Sequence, residues 1–155
     1  MVIDAAHIHL MLNHLPVIGA PILLLLLTIG LARGSRELVT VSLVLVIGLA
    51  AASAVVYLTG EPAEELIGHA PWFPKALAES HEESATVALV GMLATGALSA
   101  AALVFHRRTW GGRWLPRVVW GVLAVSTLLL GWTGWSGGQI RHDEIRSTAG
   151  ARLPK

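Results

Sequence analysis

Charge leaves this chain in four places for long enough to cross a bilayer. Asp, Glu, Lys and Arg are absent from the 28 residues between Asp4 and Arg33 and from the 23 between Glu37 and Glu61. They are absent again from the 23 between Glu83 and Arg107 and the 23 between Arg117 and Arg141. About 20 apolar residues in helical form span the hydrocarbon core. The runs are too long for strands and lack strict two-residue alternation. They predict an all-α membrane protein, a four-transmembrane-helix antiparallel bundle. It forms a single domain over residues 1–155, with spans at about 7–32, 38–60, 80–106 and 117–141.

Composition narrows the function classes. Charged residues make up 14% of the 155, and 54% are hydrophobic; a soluble domain carries about 25% charged residues. A water-soluble enzyme and a disordered tail are excluded. The net charge of +1 offers no surface for nucleic acid. Without cysteine there is no disulfide, zinc ribbon, iron–sulfur cluster or covalently attached c-type haem. Histidine, present seven times, is left as the common strong metal ligand. Only Asp4 is charged ahead of the first run, which is longer than a signal-peptide core, so the run reads as an uncleaved first helix.

Loop charges predict sidedness. Arg33 and Arg36 outnumber Glu37 after span 1, and Arg107, Arg108, Arg113 and Arg117 stand without an acid after span 3. The loop between spans 2 and 3 has Glu61, Glu64, Glu65, Glu79, Glu82 and Glu83 against Lys75. By the positive-inside rule the two Arg loops are cytoplasmic, so both termini and the acidic loop face outward. Arg141, Arg146, Arg152 and Lys155 run against this assignment. Phe105, Trp110 and Trp114 mark the inner interface, and Trp72, Phe73, Trp132 and Trp135 the outer one. The chain is expected in a bacterial cytoplasmic (inner) membrane.

Six histidines gather toward the outer side: His7, His9 and His14 on span 1, His69 in the acidic loop, His81 before span 3 and His142 after span 4. His106 alone lies at the inner end. For His7, His69 and His106 an interfacial ring that reaches water is explanation enough. His14 lies within an apolar run, where ionisable groups are costly and usually functional. On a regular helix His9 and His14 differ by about 140°, so they would serve two sites unless the helix is distorted. Pro16 and Pro21 supply a distortion, since they remove hydrogen bonds to the carbonyls of Leu12 and Val17. Spans 3 and 4 are rich in small residues, among them Gly91, Gly96, Gly131, Gly134, Gly137 and Gly138. Such residues let helices approach closely, and equally leave room for a flat macrocycle. Acids near the histidines can hold an imidazole tautomer, and Arg141 can pair with an acid or a haem propionate.

Four segments carry a resemblance. They are Ile8-His9-Leu10-Met11-Leu12-Asn13-His14-Leu15-Pro16, Thr59-Gly60-Glu61-Pro62-Ala63-Glu64-Glu65, Ser80-His81-Glu82-Glu83 and Gly137-Gly138-Gln139-Ile140-Arg141-His142. In that order they resemble the small bacterial membrane proteins catalogued as domain of unknown function 2231 and close relatives. Members open on a His-x4-His-x-Pro element, matched by His9, His14 and Pro16. They close on Gly-Gly and an Arg-His pair, matched by Gly137, Gly138, Arg141 and His142. The resemblance implies four antiparallel spans and, through the redox modules such proteins accompany, electron transfer.

The leading expectation is a b-type cytochrome-like electron-transfer protein or subunit rather than a complete enzyme. One or two b haems would be held by His9, His14, His81 and His142, with Arg141 nearby. One pairing joins His14 to His81 and His9 to His142. Quinone or an extracytoplasmic electron carrier, other subunits of a membrane redox complex, or further copies of the chain would be its partners. The alternative is a zinc, iron or copper site using the same histidines with Glu65 and Glu82. A third reading is a purely structural subunit.

Overall fold

The computed structural model describes residues 4–108, 114–142 and 145–146. Trp110, Arg113, Asp143, Glu144, Arg152 and Lys155 lie outside the described residues, as do the side chains of His106, Arg107 and Arg108. Among the described residues the chain is helical throughout, without strands. The elements are α1 (Ala5–Leu12), α2 (His14–Arg33), α3 (Arg36–Leu58), α4 (Gly60–Ile67), α5 (Lys75–Arg108) and α6 (Leu115–Arg141). Four stretches are long and apolar enough to cross a membrane: Ala5–Arg33, Arg36–Ile67, Lys75–Phe105 and Leu115–Arg141.

Local chemistry sets the breaks. Asp4 caps α1 by accepting from the His7 backbone N–H at 2.9 Å. The helix stops at Asn13 because Pro16 has no N–H to offer the Leu12 carbonyl; the Val17 N–H to Asn13 bond that follows is long, at 3.5 Å. The interruption is confined to Asn13, whose own backbone stays helical at φ −63° and ψ −24°. Pro21 sits inside a continuous α2. Gly34 ends α2 in the left-handed region at φ +63°, and the Ser35 N–H closes back on the Gly30 carbonyl at 2.9 Å. Ser35 then caps α3 by accepting from the Leu38 N–H. This two-residue reversal makes α2 and α3 antiparallel neighbours. Pro116 occupies the first turn of α6, where a missing N–H costs nothing. At 34 residues, α5 is about 51 Å long. That exceeds a hydrocarbon core of about 30 Å.

Packing runs in a ring: α2 on α3, α3 on α5, α5 on α6, and α6 back on α2. The short helices α1 and α4 pack on each other at one end. Leu27, Leu43, Val46, Met92, Val119 and Leu123 fill the core and are fully buried. Small residues bring the helices close. A Cβ on Gly96 would stand 2.7 Å from the Ala50 Cβ, and one on Gly91 3.0 Å from Ser126 Oγ. Three buried hydroxyls bond to carbonyls of their own helices: Ser42 donates to the Leu38 carbonyl, Ser99 to Thr95, and Thr95 to Gly91. The outer surface stays apolar, with Leu25 61% and Leu128 75% exposed. On that surface the Trp120 indole N–H donates to Thr28 Oγ1 at 2.7 Å, tying α6 to α2.

Candidate metal centre

The end of the bundle where α1 crosses α4 carries the histidines, and two of them are drawn inward. His9, on α1, is half-buried, and its Nδ1 lies 2.9 Å from Thr59 Oγ1, at the junction of α3 and α4. The Thr59 hydroxyl already donates to the Val56 carbonyl at 2.6 Å. Having one proton, it can only accept from His9. His81, near the start of α5, is also half-buried. Its Nδ1 lies 3.1 Å from the Thr133 carbonyl and 3.1 Å from Ser136 Oγ, both on α6. The Ser136 proton goes to the same Thr133 carbonyl at 2.9 Å. A carbonyl cannot donate, so His81 Nδ1 must carry a hydrogen.

Both neutral imidazoles are therefore Nδ1–H tautomers with a bare lone pair on Nε2. Metal-ligating histidines show this state, the second nitrogen being tied to a carbonyl, carboxylate or hydroxyl. His81 lies flat on α6: a Cβ at Gly137 would meet its Cε1 at 2.8 Å, Nδ1 at 3.1 Å and Nε2 at 3.4 Å. Ser84 backs the cluster, donating to the His81 carbonyl at 2.8 Å and lying 3.3 Å from Ser136 Oγ. Beside it Thr133 Oγ1 is buried with no hydrogen-bond partner among the described residues.

The other expected ligands lie apart from this pair. His14 is exposed at the α1–α2 break, its Nδ1 donating to the Leu10 carbonyl at 2.7 Å. His142 is exposed at the C-cap of α6, and its backbone N–H closes on the Gly138 carbonyl. The Arg141 guanidinium sits 5.1 Å over the Trp72 ring. Arg146 caps α6 by donating to the Gln139 and Ile140 carbonyls. Glu65 and Glu82 are exposed. Trp135 is exposed and pairs with Trp132 at 5.0 Å. His7 is exposed and bonded to Asp4 at 2.7 Å. The Asp4 carboxyl is held below the usual aspartate value, first by the His7 backbone N–H and next by the His7 ring. Among the described residues no three His, Cys, Asp or Glu side chains gather as a metal cluster. Sequence reasoning passed over Thr59, Thr133, Ser136 and Ser84. Thr59, Ser84 and Ser136 each donate to the carbonyl three residues earlier, a contact that residue type alone does not mark.

Among the described residues the architecture is all-helical, with four helices long and apolar enough to cross a membrane and two half-buried histidines, His9 and His81. Comparison with family models, curated proteins and solved structures gives no match for this chain, so the site is read from its own residues.

Proposed function

We propose that the chain is a membrane electron-transfer protein or subunit that binds b-type haem through histidines at the end where α1 crosses α4. The observation that supports this is the state of His9 and His81. Each ring has its Nδ1 proton committed to an oxygen and its Nε2 lone pair left for a metal. Two imidazoles are the whole protein share of a six-coordinate haem, because the porphyrin supplies four nitrogens. A structural zinc ion takes four protein ligands and a catalytic one three. The donor set therefore fits haem better than a bare ion. When bound, haem supplies one-electron redox chemistry at a potential tuned by burial and hydrogen bonding around its ligands. The chain's own part is to hold both rings in one tautomer and to bury them from water.

In this reading four helices lie in a bacterial inner membrane with both termini and the acidic α4–α5 connection outward. Its partners are quinone or an extracytoplasmic carrier, or neighbouring subunits. Charge supports the orientation through Arg33, Arg36 and Arg117 at the opposite end. Arg141 is the outer candidate for the haem propionates, while His14 and His142 stay exposed. The test is a dithionite-reduced minus air-oxidised spectrum of protein purified from haem-supplied cells. Soret and α bands of a low-spin b haem are expected. A featureless spectrum overturns the reading, and stoichiometric zinc, iron or copper without porphyrin replaces it with the non-haem site.

A further inference from the structure

The two histidine clamps are the same device built twice. His9 meets the hydroxyl of Thr59, which is back-bonded to the carbonyl three residues earlier, at Val56. His81 meets the hydroxyl of Ser136, back-bonded to the carbonyl three residues earlier, at Thr133. A glycine follows each hydroxyl residue, and each packs on the histidine it follows: Gly60 on His9 and Gly137 on His81. Ten residues after each histidine stands another glycine pressed against the next helix. Gly19 meets Leu49 on α3, and Gly91 meets Ser126 on α6. Leu49 and Ser126 in turn lie ten residues before Thr59 and Ser136.

The burial pattern repeats with the same offsets. Pro16, Ala20, Leu23, Leu27 and Gly30 are the buried residues of α2. Seventy-two positions on, Ala88, Met92, Thr95, Ser99 and Ala102 of α5 are all buried. Val39, Ser42, Val46, Leu49 and Ser53 are buried on α3. Seventy-seven positions on, Pro116, Val119, Leu123, Ser126 and Leu130 of α6 are buried. Not every position repeats: Leu43, Ala50 and Val56 are more buried than their counterparts Trp120, Thr127 and Thr133, and Gly96 and Gln139 more than Leu24 and Pro62. The offset grows by five between the helices because the α5–α6 link is longer than the Gly34–Ser35 turn. The packing ring obeys the same exchange: swapping α2 with α5 and α3 with α6 leaves every neighbour relation unchanged. Where the halves differ, proline is the cause. Pro16 breaks the first helix of one half, where the other has Ala88. Pro62 stands in the first turn of α4, just past the break at Thr59, while α6 runs on through Gly137.

We infer that the chain is two copies of one helical hairpin about a pseudo-twofold axis along the bundle, and that His9 and His81, one from each copy, are equivalent ligands of a single haem at that axis. This rests on the haem reading above and deepens it. It replaces the pairing of His14 with His81, and it makes Thr59 and Ser136 matched positioning residues. A duplicated one-histidine hairpin supplies two imidazoles in matched settings, and these would hold the haem from both halves of the chain.

The test uses the full chain, produced with haem supplied, as wild type and as His9→Gln, His81→Gln, His14→Gln and His142→Gln. The inference expects one haem per chain, its low-spin bands lost from both His9→Gln and His81→Gln and kept in the other two. Loss from His14→Gln or His142→Gln, or retention in either His9→Gln or His81→Gln, overturns it while the haem reading stands. A wild type without haem removes the reading beneath it. Variants that misfold are answered by a second measurement, nitrogen-15 imidazole spectra of the haem-free wild type. His9 and His81 should both be Nδ1–H tautomers; an Nε2–H tautomer at either overturns the matched clamp. Thr59→Val should also weaken haem retention about tenfold, as the loss of a partner behind a metal ligand does, with Thr59→Ser restoring it.

Discussion

Replacing glycine by alanine at the two equivalent positions, Gly60 and Gly137, should have opposite effects. At Gly60 the new methyl would lie 3.7 Å from His9 Cε1, an ordinary contact. Less backbone freedom in the unfolded chain then stabilises the variant by about 0.4–1 kcal/mol. At Gly137 the methyl would lie 2.8 Å from His81 Cε1. Carbon atoms rest at about 3.5–4.0 Å, so the ring must withdraw from α6 by about 0.7 Å or more. Its two acceptors, both at 3.1 Å, are on α6. Withdrawal stretches them past about 3.5 Å, where a hydrogen bond is lost. Overpacking costs about 1–3 kcal/mol, against a helix-propensity gain of about 1 kcal/mol. The net is a destabilisation of about 0–2 kcal/mol, with His81 released from its tautomer. Reversible unfolding in detergent, followed by circular dichroism, measures the first effect. The nitrogen-15 signal of His81 measures the second. A Gly137→Ala protein as stable as Gly60→Ala, with His81 still an Nδ1–H tautomer, would refute the argument.

Two further outcomes follow from the same geometry. Gly96→Ala puts a methyl 2.7 Å from the Ala50 Cβ, and neither atom can rotate away, so α3 and α5 must part. A loss of about 1–3 kcal/mol is expected in the same unfolding assay, and wild-type stability would show that the helices do not approach so closely. Asp4 has its native pKa lowered by the His7 N–H and ring. Its contribution to α1 is therefore present above the ordinary aspartate pKa and lost as pH falls through the lowered native value. The protection factor of the His7 amide, taken against the intrinsic exchange rate at each pH, should fall on acidification, and Asp4→Asn, which keeps an acceptor, should flatten that dependence. A wild-type protection factor that does not fall in acid would contradict the cap.

Much of the fold was legible because its causes are local. Charge-free runs mark the four long helices, Pro16 marks the break at Asn13, and Gly34-Ser35 marks a helix stop followed by a helix cap. The site was legible only in part. His9 and His81 stand out as histidines at the rim of apolar runs, and their residue type suffices. His14 drew attention for its apolar neighbours, yet those neighbours are themselves exposed, as Met11 and Leu15 show at 71% and 52%. A chain with an apolar exterior gives hydropathy no power to separate the inside from the outside of the bundle. Thr59 and Ser136 were missed because a lone hydroxyl near a helix end is common and its partner lies 50 or 55 residues away. The duplication was hidden by drift in residue type: Leu23 and Leu27 of one hairpin are Thr95 and Ser99 of the other. What survives is which positions are buried, and that appears only once the helices are packed.

The central claim is a single haem shared by the two halves of the chain. The measurement that meets it directly is the ratio of haem to protein in the purified full-length chain. Haem is taken from the pyridine haemochrome and protein from amino-acid analysis of the same sample. One b haem per chain is the expected result. Two per chain would return His14 and His142 to the ligand set and contradict the shared site, and none in haem-supplied protein would contradict the cytochrome itself.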